Sequence, residues 1–228
     1  MVDVELEDSV ARIFLNRPEK ANALNSAMLA ALTGALQNLD PQGLRVAVIA
    51  GRGRNFCGGA DATELKALNE RTGAEFVTRI HEACKAIRAL PVPVVARLHG
   101  AVIGAGLEIA AACDLRVAAE GTKFSMPEVR LGIPSVVEAA LLPRLMGSGR
   151  AAWLVLTGDA IDARRALEWG LVEEIGDGGN LVEKLRSNDP QALRIQKQLL
   201  QLWDEAPLAT SIAASIERFA HSYHGKRT

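Results

Sequence analysis

The chain has 228 residues, 49% of them hydrophobic, and 26 Lys and Arg against 27 Asp and Glu leave a formal net charge of −1. A chain of this size buries enough apolar surface to fold as one globular unit, and its balanced charge offers no field to attract nucleic acid or an anionic membrane. Its three cysteines, Cys57, Cys84 and Cys113, lack Cys-x-x-Cys spacing and point to neither a disulfide framework nor a zinc site.

Residues 2–6 and 11–16 alternate apolar with polar side chains around Glu7-Asp8-Ser9 and predict a hairpin. After the loop Asn16-Arg17-Pro18-Glu19-Lys20-Ala21-Asn22-Ala23-Leu24, Asn25 or Ser26 caps a helix whose core stripe is Met28, Leu29, Leu32, Leu36 and Leu39. Pro41 and Gly43 end it. Residues 45–50 form a short buried strand running into the glycine-rich loop Gly51-Arg52-Gly53-Arg54-Asn55-Phe56-Cys57-Gly58-Gly59-Ala60-Asp61. That loop has the outer spacing of a phosphate loop from Gly53 to Gly58, but Gly59 stands where a nucleotide-binding lysine is needed.

Residues 74–89 carry Phe76, Val77, Ile80, Cys84 and Ile87 on one helical face, and Pro91 and Pro93 break the helix before a strand at 94–98. That strand feeds Gly100-Ala101-Val102-Ile103-Gly104-Ala105-Gly106-Leu107-Glu108, the hub of the chain. Three glycines there permit tight turns and close approach of a ligand, and a helix from Leu107 to Ala112 begins with one acid in an apolar run. The plainer alternative is a glycine-kinked core helix whose acid reaches solvent or a lysine. Gly104-x-Gly106 is followed by Ile109 where a dinucleotide fingerprint needs a third glycine, so that reading fails at its packing position. The unit of helix, short apolar strand, glycine loop and helix thus occurs twice.

Short strands are expected at 115–118 and 123–125, then a stiff turn, Met126-Pro127-Glu128-Val129-Arg130-Leu131-Gly132-Ile133-Pro134, with a second isolated acid. Residues 136–142, 148–157 and 163–169 read as helical, with Asp162 capping the last, and 171–175 closes that portion. After Gly176-Asp177-Gly178-Gly179, the tail from Asn180 to His224 carries helices interrupted at Asp189-Pro190 and Pro207. His81 and His99 read as core or surface residues, Cys57 as a small packing residue, and Trp153, Trp169 and Trp203 as packing.

Four motifs in order, Asn16 to Asn25, Phe56-Cys57-Gly58-Gly59-Ala60-Asp61, Gly104-Ala105-Gly106-Leu107-Glu108-Ile109-Ala110 and Pro127-Glu128-Val129, with Ala112-Cys113-Asp114 between the last two, closely resemble the enoyl-CoA hydratase/isomerase (crotonase) superfamily. The resemblance runs from about residue 10 to residue 172. It implies an α/β fold, a spiral of repeated ββα units over residues 1–175, with a C-terminal helical oligomerisation region over 176–228 that is short for the family. Trimers, often paired as hexamers, are the assembly it implies.

The same resemblance assigns the site. Backbone N–H groups of Ala60 and Ala105 fall where the family holds the thioester oxygen, and an enolate needs such donors. The family commonly has glycine where Ala105 stands, a change that keeps the N–H. Glu108 and Glu128 match the two catalytic glutamates of the hydratases: Glu108 orients and activates water, and Glu128 exchanges the C2 proton. Their partly dry surroundings should raise at least one pKa. Lys20, Ala21 and Ala23, together with Ala60, Asp61, Ala62, Thr63 and Gly104, match substrate and CoA contacts. Thr63 replaces a lysine found in some hydratases, leaving Lys20, Lys66 or Arg54 to supply charge.

Ser135 and Glu138 are possible pocket residues, with a capping or salt-bridge role as the alternative for Glu138. Val136 and Val137, standing where the family commonly has a glycine-rich turn, would narrow the acyl pocket. The implied reaction is hydration of a 2-enoyl-CoA to a 3-hydroxyacyl-CoA, with no metal and no cofactor beyond the CoA of the substrate. An isomerase or other acyl-CoA lyase on the same scaffold is the first alternative, and retention of both glutamates argues against it. A non-catalytic acyl-CoA-binding member is the second. Met1 to Glu5 shows no signal-peptide pattern and no apolar run spans a bilayer, so a cytoplasmic protein without membrane or nucleic-acid partners is expected.

Overall fold

The computed structural model describes residues 1–223; His224, the last residue of the expected helical tail, lies outside them. The chain opens with strands β1 (Val2–Glu7) and β2 (Val10–Leu15), paired antiparallel with Val2 opposite Leu15 and Glu7 opposite Val10. Asp8 and Ser9 turn the hairpin with φ of +48° and +66°, the left-handed pair that matches strand twist. β3 (Val46–Gly51), β4 (Val94–Leu98), β6 (Leu115–Ala118) and β9 (Glu174–Ile175) then add in parallel, giving the order β1-β2-β3-β4-β6-β9. Every residue of β3 is buried, as a central parallel strand covered on both faces requires.

A second layer holds β5 (Ala101–Ile103), β7 (Lys123–Ser125) and β8 (Ile161–Asp162). Isolated parallel bridges, Cys57 with Val102 and Leu24 with Ala60, extend this layer back to the earlier loops. Each turn of the spiral therefore gives a strand to the large sheet, a short strand or bridge to the second layer, and then a helix. The stretch 101–103, expected as part of a glycine loop, is a strand because its neighbours at 57 and 123–125 offer backbone partners far away in sequence.

Helix α1 (Ser26–Gln37) starts at Asn25, whose side chain accepts from Met28 N at 2.8 Å, and Met28, Leu29, Leu32 and Leu36 are buried as the stripe predicts. α2 (Ala62–Ala67) begins at the Asp61 cap, so Ala62 and Thr63 belong to a helix. α3 (Glu70–Ala89) starts four residues before the expected Ala74, because Asn69 and Thr72 form a reciprocal capping box. α4 (Ala105–Ala111) is buried along its whole length. α5 (Leu142–Met146), α6 (Ser148–Thr157) and α7 (Ala163–Trp169) follow, with Asp162 capping α7. Two 3₁₀ turns, Pro127–Leu131 and Val137–Leu141, carry Glu128 and Glu138.

α8 (Gly179–Ser187) lays Leu181, Val182 and Leu185 over Val10, Val46, Val48, Val95 and Val117 on the outer face of the sheet. α9 (Pro190–Glu205) and α10 (Leu208–His221) start at Asp189 and Pro207, where the sequence places breaks. α9 is pinned by the buried Lys197, whose Nζ lies 2.8 Å from Asp114 Oδ2 and donates to Val92 O at 2.9 Å. The acid partner is what makes a buried ammonium tolerable. No helix of the described residues is long and apolar enough to cross a membrane.

Candidate active site

The two glycine loops meet through backbone bonds. Phe56 N donates to His99 O at 2.8 Å, Cys57 N to Ala101 O at 3.0 Å, and Ile103 N to Cys57 O at 3.0 Å. Gly106 lets this happen: a Cβ there would come within 2.7 Å of Cys57 Cβ and 2.8 Å of Cys57 O. On the other side of the first loop, Leu24 N donates to Gly59 O and Asp61 N to Leu24 O, both at 2.8 Å. In such a parallel bridge the N–H of Ala60 turns away from Leu24. Among the described residues it donates to no protein acceptor, and neither does the N–H of Ala105, which as first residue of α4 has no intrahelical partner.

The predicted CoA-contact segments are also brought together. Gly58 N donates to Ala21 O at 2.8 Å, and Ala21 takes the left-handed conformation at φ +52°. Asn22, fully buried, staples the region: it accepts from Arg17 N and donates to Arg52 O and Asn55 O, all at 2.8–2.9 Å. Arg17 Nη1 bonds both Ala23 O at 3.2 Å and Asp61 Oδ2 at 2.6 Å. The guanidinium holds the Asp61 carboxyl below its usual range, aided by the cap bonds from Glu64 N and Thr63 N. Asp61 is thus occupied within the protein. Lys20, Arg54, Lys66 and Thr63 are exposed, as groups that meet a ligand from solvent would be.

Glu108 stands one turn into α4, only 4% exposed, and accepts at Oε1 from Ala139 N at 3.3 Å. Burial above all, then the charge of Glu128 and, more weakly, that of Glu138, push its carboxyl up to about 8, against the Ala139 N–H, which favours the anion. Glu128 is half-buried and receives Ser135 Oγ at 2.9 Å on Oε2. It packs over Gly104, whose missing side chain leaves it room. Ser135, expected in the pocket, therefore orients Glu128. Val136 is 38% exposed, whereas Val137 is half-buried with φ +41°.

Glu138 is buried, and its Oε1 lies 2.7 Å from His81 Nδ1. The salt-bridge alternative for Glu138 is what the structure contains. His81 was legible only as a core or surface residue, because its partner is 57 positions away in sequence. The same holds for the Ala139 amide that holds Glu108. Surface grooves along α8, lined by Asp8, Val48 and Arg186, and between α1 and α3, lined by Thr33 and Arg79, lie elsewhere. Among the described residues no group of three His, Cys, Asp or Glu side chains is arranged to hold a metal ion.

Two carboxylates that repel one another, beside two backbone N–H groups without acceptors, can pass a proton and hold a developing oxyanion. Residues 5–223 match the family described as Enoyl-CoA hydratase/isomerase. The chain is 33% identical to a short-chain-enoyl-CoA hydratase of Clostridium acetobutylicum, covering 97% of this chain and 89% of that relative. It is 34% identical to a crotonyl-CoA hydratase of Syntrophomonas wolfei over 80% of this chain and 72% of the relative. The crystal structure of an enoyl-CoA hydratase from Bacillus anthracis superposes with a TM-score of 0.93 at 32% identity, covering 99% of this chain and 92% of that one.

Proposed function

The chain belongs to the enoyl-CoA hydratase/isomerase family, and on that premise we propose that it adds water across the 2,3 double bond of a 2-enoyl-CoA to give a 3-hydroxyacyl-CoA. The observation that carries this reading is the pairing of Glu108 with Glu128 beside the unbonded N–H groups of Ala60 and Ala105. The thioester oxygen accepts from those two amides. The two carboxyl groups share one proton; in the arrangement that reacts it lies on Glu128, water held between them loses a proton to the ionised Glu108 as its oxygen bonds C3, and the C2–C3 π electrons move onto the thioester as an enolate. Glu128 gives C2 a proton, and the proton from water restores the pair. The oxyanion donors act where charge develops, each worth about 2.7–4 kcal/mol in the transition state.

The pantetheine and nucleotide of CoA would lie along Lys20, Ala21, Ala23, Ala62 and Thr63. Leu208, Ile212, Ile216 and Phe219 present an exposed apolar face along α10, which supports a homotrimer or a pair of trimers built through the C-terminal helices. An Ile216→Lys variant that sediments like the wild type would sink that assembly.

The test mixes the protein with crotonyl-CoA and follows loss of the conjugated-enoyl absorbance, beside Glu108→Gln and Glu128→Gln. Each variant should lose roughly 10²–10⁴-fold in rate. An active wild type with both variants fully active refutes the assignment. Turnover confined to moving the double bond of a 3-enoyl-CoA replaces it with an isomerase.

A further inference from the structure

Glu138 is an odd place for an ion pair. Its partner His81 is half exposed, with a side chain 54% accessible, yet the Glu138 side chain is only 8% accessible. Its Oε2 is buried, with the buried Cys84 thiol of α3 beside the carboxyl. A glutamate on the surface would pair with the same histidine without that desolvation. What the burial achieves is proximity: the next residue, Ala139, donates its N–H to Glu108 Oε1 at 3.3 Å, so Glu138 sits directly behind the acid of the site. Val137, immediately before it, is a β-branched residue held at φ +41°, a conformation that persists only where packing enforces it.

We propose that Glu138 and His81 form a positioning pair that sets the charge behind Glu108 and thereby its readiness to take a proton from water. This rests on the hydratase reading and names what regulates its base. The titratable groups facing Glu108 are Glu128, Glu138 and the buried Cys84 thiol of α3. Those facing Glu138 are His81 and Cys84 from α3 and Glu108 from α4. Arg144 of α5 is turned towards Asp204, 4.0 Å away. The negative charge of Glu138 makes Glu108 harder to ionise, and the His81 ring, with Nδ1 2.7 Å from Oε1, is the group placed to offset that charge. The exposed ring thus couples the interior acid to the solvent.

Glu138→Gln removes the charge, and His81→Gln leaves it uncompensated, so the two changes act with opposite sign. The acidic limb of kcat/KM should move to lower pH in Glu138→Gln and to higher pH in His81→Gln, each by roughly half a pH unit to one unit. The double variant should follow Glu138→Gln. The titration is also read without turnover, by carbon-13 NMR of protein labelled at glutamate Cδ, with the Glu108 resonance identified by its loss in Glu108→Gln. Opposite displacements bear the pair out. No displacement, or displacement of both in one direction, overturns it. If the resonance moves as stated in a protein that hydrates no enoyl-CoA, the hydratase reading falls and the pair stands.

Discussion

The carboxylate of Glu128 lies so close over Gly104 that a Cβ built there would be 2.2 Å from its Oε1. Gly104 also holds φ +52° and ψ −122°, a region essentially closed to other residues. Gly104→Ala should therefore displace Glu128 and the neighbouring Ala105 amide together. A displacement of about 1 Å is enough to lower the rate on the order of 10²-fold. Steady-state kinetics with crotonyl-CoA should show the loss in kcat, and a kcat equal to wild type would contradict this contact.

Glu108 makes the folded chain sensitive to alkali. Its carboxyl is raised from 4.5 to about 8, so between those values the folded state binds a proton that the unfolded state releases. Stability from this group is fully present below pH 4.5 and falls as pH rises through the window. Glu108→Gln should be more stable than wild type at pH 9 by on the order of a few kcal/mol, with the difference closing towards pH 5. Urea unfolding at both pH values measures it.

Asp61 joins the first loop to α2 and to Arg17. Its depressed pKa means that its contribution is present above the unfolded value of 3.8 and is lost as pH falls through the lower folded one. Asp61→Ala should cost about 1–2 kcal/mol through the cap alone. Because the same loop presents the Ala60 amide, KM for the acyl-CoA should rise as well. Thermal unfolding and KM together check this.

The thiols should be inert in the folded protein. Burial pushes Cys57 and Cys113 up to about 12 and Cys84 well above the usual thiol range. Reaction with a disulfide reagent at pH 8 should be at least about 10³-fold slower than in denaturant, where all three cysteines react together. Fast labelling of any cysteine in the native state would contradict its burial.

Much of the fold was written locally. The Asn25 and Asp162 caps, the breaks at Pro91, Pro93, Asp189-Pro190 and Pro207, and the stripe of α1 were legible because capping and helical spacing act within a few residues. The start of α3 was missed although Asn69 and Thr72 are local, since Thr is a weaker capping-box partner than Glu or Gln. β5 was missed because a three-residue strand has no periodicity of its own and exists only through its partners.

The site divides in the same way. The sequence by itself singled out the candidates for the proposed chemistry: two isolated acids, Glu108 and Glu128, and two glycine loops with small residues at 60 and 105. Only the tertiary structure decided how they act on one another. Ser135 came to Glu128 as a donor, Ala139 to Glu108, and His81 to Glu138 across 57 residues, while burial raised Glu108 and shut the Glu138 carboxyl in beside the Cys84 thiol. Charge coupling and desolvation depend on distance in space and on the removal of water, and neither is encoded in the spacing of residues along the chain.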